Sequence, residues 1–140
     1  MNTGRKIIYN MKEKNGMSEA KLRKLLLKWM KKLCMKDWKI DLKIVDFERK
    51  DNYRQSGDFI ADPKNKTATI LMTWNPWRGD EEYTLVHELI HVLIYDYDKY
   101  NENIILKKYK KFGKEHDLYM EKLENTVHNL TRIFLGRTDR

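Results

Sequence analysis

The chain has 140 residues, 41% of them hydrophobic, and carries 29 Lys and Arg against 21 Asp and Glu for a formal net charge of +8. That length and apolar content suit one domain with its own core, and the single cysteine, Cys34, excludes an internal disulfide framework and any cysteine-built zinc site. No apolar run approaches the roughly 20 residues of a membrane span, and the first ten residues, M-N-T-G-R-K-I-I-Y-N, hold no signal-type apolar stretch, so the expectation is a cytoplasmic protein with no membrane contact.

Residues 1–16 lack periodicity and read as a flexible tail ahead of a single domain over 17–140. Ser18 is placed to cap a helix over about 18–35, where Leu22, Leu25, Leu26, Trp29, Met30 and Leu33 recur at helical spacing and lysines fill the other face. Trp38–Ile44 alternates strictly, the pattern of a strand with one face buried. A polar loop over 48–56 leads to two further strands, Gly57–Ala61 and Lys66–Met72. Between them Asp62-Pro63-Lys64-Asn65 has the signature of a type I turn. Trp74-Asn75-Pro76-Trp77-Arg78-Gly79 ends the sheet, and Asp80 caps the next helix. After Asp98 a lysine-rich connector contains a short helix at about 102–111. A last helix runs over about 115–135, with Leu118, Leu123, Val127, Leu130 and Phe134 as its apolar stripe and Gly136 as its stop. The order α–β–β–β–α–α is an α+β layout.

Charge is unevenly distributed. Residues 1–36 carry +9 and residues 99–114 carry +5, flanking a mildly acidic centre. Lysine predominates and no stacking aromatics are regularly interleaved, which favours a solvated surface. Nucleic acid stays open as a partner through the basic N-terminal segment.

The acidic centre holds the most informative residues, His87-Glu88-Leu89-Ile90-His91, an H-E-x-x-H sequence. Residues four apart stack on one helix face, so both imidazoles can grip one metal ion while Glu88, turned about 100° round the axis, reaches a water beside it. From Tyr83 to Ile94 apolar residues cover most of the circumference, which marks a buried helix. Two histidines and a glutamate buried there without partners would be costly, and a Zn2+ ion removes that cost. The competing reading is a core helix with two satisfied histidines.

A catalytic zinc takes three protein ligands and keeps one position open. The Gly and His that metzincins place three and six residues after the second histidine are Ile94 and Tyr97 here, so that class is excluded. Asp96 and Asp98 follow too closely to fold back onto the metal. The last helix offers His116, Glu121, Glu124 and His128, of which His116, Met120, Glu124 and His128 share one face.

Through T-L-V-H-E-L-I-H-V-L and E-N-T-V-H-N-L, about residues 18–135 resemble zincin metallopeptidases, and more narrowly the small gluzincin-like peptidases of phages and prokaryotes (minigluzincins). That resemblance implies an N-terminal helix, a small sheet of about three strands, a buried HExxH helix and a C-terminal ligand helix, with Glu124 as third metal ligand. The N-E-x-x-S-D of the larger gluzincins is missing. A rival resemblance, to SprT-like DNA-associated proteases, implies His116 instead, although the glycine that follows that histidine in those proteins is absent.

The expected activity is zinc-dependent hydrolysis of peptide bonds in a peptide or protein substrate. Glu88 is the general base, zinc activates the attacking water, and His128 steadies the oxyanion one turn from Glu124. The strand over 66–72 is expected at the sheet edge, where an extended substrate adds as one more strand; of Trp74 and Trp77, which could wall the cleft, at least one is expected in the core instead. The alternatives are a nucleic-acid-associated protease and a zinc-stabilised interaction domain without turnover.

Overall fold

The computed structural model of the chain describes residues 6–7, 18–47, 55–73 and 80–137. In chain order the elements are β1 (Lys6–Ile7), α1 (Glu19–Lys32), β2 (Lys39–Asp46), β3 (Gly57–Asp62), β4 (Thr67–Met72), α2 (Glu81–Leu93), α3 (Tyr95–Lys108) and α4 (Lys114–Leu135). Apart from Lys6–Ile7, the tail expected over 1–16 lies outside the described residues, as do Trp74 and Trp77. The α+β architecture has the expected parts: an N-terminal helix, a small mixed sheet, a buried HExxH helix and a C-terminal helix bearing Glu124.

Local chemistry sets the element ends. Ser18 accepts a hydrogen bond from the Lys21 amide at the start of α1, and Asp80 does the same for Tyr83 at the start of α2. Gly136, at φ 71°, closes α4 in the left-handed conformation that glycine adopts without steric cost.

The sheet order is β1-β2-β4-β3, with β2 and β4 parallel and β3 and β4 antiparallel. The expectation that the strand over 66–72 forms the edge is therefore corrected: β4 lies between β2 and β3, and β3 is the outer strand. The burial of the strands gives the reason. β4 ends in Ile70-Leu71-Met72, buried on both faces as an inner strand must be. β3, with acids at Asp58 and Asp62, has no fully buried residue.

Strand register aligns side chains in rows on the helix-bearing face, Ile40–Ala68–Ala61, Leu42–Ile70–Phe59 and Ile44–Met72–Gly57. Against these rows pack α1 through Leu22, Leu26 and Trp29, and α2 through Leu85, Val86, Leu89, Ile90 and Val92. Trp29 ties the two helices by donating from its indole nitrogen to Glu82 at 2.7 Å.

The connector expected after Asp98, with a short helix at 102–111, is a full 14-residue helix that begins directly after α2. Ile94 both ends α2 and precedes α3. Hydrophobic periodicity missed α3 because its inward face is polar: Asp98 and Glu102 are its buried residues. The Tyr119 hydroxyl donates to the Asp98 carboxylate at 2.6 Å. Glu102 meets Lys99 Nζ at 2.6 Å and His116 Nε2 at 2.7 Å. His116 is 2% exposed, and its Nδ1 accepts from the Phe112 amide at 3.0 Å, so Nε2 carries the proton given to Glu102. Burial works against ionisation of Glu102, but the hydrogen bonds from Lys99 and His116 prevail and hold its carboxyl below the ordinary range.

A carboxyl lowered in the folded state stabilises above its unfolded pKa of about 4.3 and loses that contribution as pH falls through the lower folded value. Glu102→Gln is therefore expected to cost about 2 kcal/mol at neutral pH, the scale of hydrogen bonds to a charged group. The gap from wild type should narrow below about pH 4, as read from urea midpoints between pH 3 and 7.

Candidate metal centre

Helix α2 is buried because the sheet and α1 cover most of its surface, and the side left to α4 carries the polar groups. His87 and His91, one turn apart, have ring centroids 5.0 Å from each other. Their Nε2 atoms converge on one carboxylate of α4: His87 lies 3.2 Å from Glu124 Oε1 and His91 2.9 Å from Oε2. Among the described residues, His87, His91 and Glu124 are the group whose ligand atoms, all within 4.8 Å of one another, are placed to hold a metal. Two donor atoms of a tetrahedral zinc site, each about 2.0–2.1 Å from the ion, stand about 3.3 Å apart, close to the two distances found here.

Electrostatics give a second measure of fit. Glu88 is 8% exposed. Burial, and after it the charges of Asp58 and Glu124, push its carboxyl well above the usual range. Burial acts in the same sense on Glu124, but its hydrogen bonds to His87 and His91 override it and hold that carboxyl well below the usual range. Glu124 thus brings a carboxylate to the two imidazoles, and a divalent cation held there would favour ionisation of the neighbouring Glu88 as well. The donor set of two imidazole nitrogens and a carboxylate oxygen is one that zinc accepts.

Two aromatic contacts hold the imidazoles, and the sequence reading missed both. Phe59 of β3 stacks on His91, centroids 5.2 Å apart and planes 12° apart, and Tyr95 meets Phe59 edge-on. Tyr83 lies beside His87 at 5.6 Å. Tyr83 stands one turn before His87, so helical spacing would have found it. Phe59 reaches His91 only through the strand register, which no local pattern reports. Gly57 is required by a close approach: a Cβ there would stand 2.8 Å from Thr84 Cγ2 and 3.0 Å from Glu88 Cγ and Oε2. The edge strand thus runs directly against Glu88.

The remaining candidates on α4 separate clearly. Glu121 is solvent-exposed and outside the cluster. His116, the rival third ligand, is engaged with Glu102 and the Phe112 amide, so the structure brings Glu124 and not His116 to the histidines. His128, one turn past Glu124, has its Nδ1 in hydrogen-bond contact with the Tyr83 hydroxyl. The far end of α4 is fastened by Arg137, which pairs with Asp80 at the start of α2.

The set matches an HExxH metal-binding arrangement of the zincin type. No family model, curated protein or solved structure matches the chain.

Replacing each rival ligand separates their roles. Glu124→Ala should weaken zinc binding by more than ~100-fold, beyond the ~10–100-fold typical of residues that only support a ligand. His116→Ala should leave affinity within about twofold while lowering stability by about 2 kcal/mol, the scale of a hydrogen bond to a charged group. Competition with a coloured chelator measures the first effect and urea unfolding the second.

Proposed function

We propose that this chain is a zinc-dependent metallopeptidase of the small, single-domain gluzincin-like type. The observation that carries the proposal is the convergence of His87, His91 and Glu124 beside a buried Glu88 that lies against the edge strand. A zinc ion held by those three residues would supply the Lewis acidity that polarises a water and a peptide carbonyl.

The other parts of the reaction belong to the chain's own side chains. Glu88 takes the proton from the attacking water at its carboxylate and passes it to the leaving nitrogen. To begin, Glu88 must be ionised, and the cation held beside it would favour that form. With the Tyr83 hydroxyl donating to His128 Nδ1, Nε2 keeps its proton and is the donor offered to the developing oxyanion. The substrate lies extended along the outer side of β3, taking backbone hydrogen bonds there as an added strand. Gly57 lets that strand approach Glu88, so the scissile bond is delivered next to the base.

Elemental analysis of the purified protein should find about one zinc per chain. Glu88→Gln should keep that zinc while hydrolysis of a denatured protein substrate falls at least ~100-fold. Unchanged hydrolysis in the variant would remove Glu88 from the reaction, and a metal-free protein whose melting temperature ignores added zinc would remove the proposal altogether. His128→Ala should lower kcat about 100-fold, the scale of one lost oxyanion donor, with little change in KM.

A further inference from the structure

The turn between α3 and α4 has no part in the metal centre, yet its backbone is closely tied down. It reads Lys107-Lys108-Tyr109-Lys110-Lys111-Phe112-Gly113-Lys114, five ammonium groups with no acid between Asn103 and Lys114. All five lysines are exposed, Tyr109 is 41% exposed and Phe112 74%. Phe112 is among the largest apolar side chains the protein leaves in water, and its backbone holds it there. Its φ is +61°, a left-handed conformation that bulky residues rarely adopt.

Successive hydrogen bonds hold the turn in that shape. The Tyr109 amide donates to Ile105 O, the Gly113 amide to Lys110 O, and the Phe112 amide to buried His116 Nδ1. Gly113 is needed there, because a Cβ would stand 3.0 Å from the Lys110 carbonyl oxygen. Behind the turn, the His116–Glu102–Lys99 chain of contacts anchors the histidine. The buried polar network therefore has a product at the surface: two aromatic rings presented among lysines on a fixed frame.

We infer that this turn is a binding site for single-stranded nucleic acid. Each ring has an ammonium over it, Lys108 at 6.0 Å from the Tyr109 centroid and Lys111 at 5.3 Å from that of Phe112. A cation next to a flat apolar face is what one nucleotide presents a complement to: the phosphate meets the ammonium and the base stacks on the ring. The platform extends along α3, where Tyr100 and Tyr97, 66% and 71% exposed, share a helix face leading to Lys107 and Lys108. Glu115 and Asp117 follow in the first turn of α4, two acids against five lysines. A duplex offers its bases stacked and closed, so it meets the lysines but not the rings. An acidic bilayer also attracts lysines, but rings with ammonium groups over them would carry charge to the depth at which an inserted ring sits.

The test is fluorescence anisotropy of the full-length protein with a labelled oligothymidylate, from low to physiological salt. Wild type should bind, with Phe112→Gly and Tyr109→Ala each weakening binding about tenfold at unchanged salt slope, as lost stacking does. Phe112→Gly suits the left-handed backbone, and Phe112→Trp, which keeps a ring, should bind like wild type. Lys110→Ala with Lys111→Ala should lower the slope of log K against log salt by about 1.4, two single-strand phosphate contacts. Lys21→Ala with Lys24→Ala, exposed on α1, should change neither. The inference is overturned by absence of binding at low salt, by Phe112→Gly or Phe112→Trp behaving contrary to these expectations, by equal losses from the α1 pair, or by Phe112→Gly weakening attachment to phosphatidylserine vesicles and not to the oligonucleotide.

Discussion

Two imidazole nitrogens meeting one carboxylate, His87 and His91 Nε2 on Glu124, is the contact on which the rest of the molecule depends. It places two polar rings and the neighbouring Glu88 on a helix that is otherwise core, and burying such groups costs several kcal/mol. The remainder of α2 offsets that cost. Leu85, Val86, Leu89, Ile90 and Val92 are each at most 1% exposed, and fully burying side chains of this kind contributes about 1.5–3 kcal/mol apiece. The helix can carry a costly site because five of its residues are seated against the sheet and α1. Helix α1 accordingly has a purpose beyond filling the core: its Trp29 bond to Glu82 keeps α2 in the position from which both histidines face α4.

The carboxylate comes from a different helix, so α4 must be held with equal firmness. Its apolar contribution to the core is small, with Val127 its one fully buried apolar residue. Polar links do the remainder: Arg137 to Asp80 at one end, Tyr119 and His116 to α3 at the other, and the His128–Tyr83 contact near the middle. These links are directional, as packing of methyl groups is not, and they fix the rotation of α4 as well as its distance. Rotation is what decides whether Glu124 or Glu121 faces the histidines.

Much of this was legible in the amino-acid order. The caps Ser18 and Asp80, the alternation over residues 38–44 and the stop at Gly136 all locate their elements, because each signal is local. The apolar stripe expected on α4 holds only in its middle, where Leu123, Val127 and Leu130 meet the core, while Leu118 and Phe134 are exposed. The H-E-x-x-H spacing identified the helix that bears the site for the same reason. Three things lay beyond reach, and each depends on contacts distant in sequence. The strand order turns on β2 choosing β4 over β3, which alternation within a strand does not encode. Helix α3 hides behind a polar inward face, so a search for apolar periodicity passes over it. Phe59 stacks on His91 through the strand register, 32 residues away in the chain. His116 is the instructive case, since a histidine at a family-like position proved to serve a buried carboxylate instead.

The junction at Ile94 leaves the chain no slack between the second histidine and the polar face of α3. The Ile94 amide bonds back to Ile90 O and the Asp98 amide to Ile94 O, so one helix passes into the next without a loop. Each residue added to a helix rotates the succeeding turns by about 100° and advances them 1.5 Å. An insertion at 94 would thus swing Asp98 and Glu102 away from Tyr119 and His116, and α4 would lose the links that orient Glu124. The interval from His91 to Glu102 is consequently a measured length: it sets at once the turn on which the second imidazole sits and the seating of the acids that hold α4.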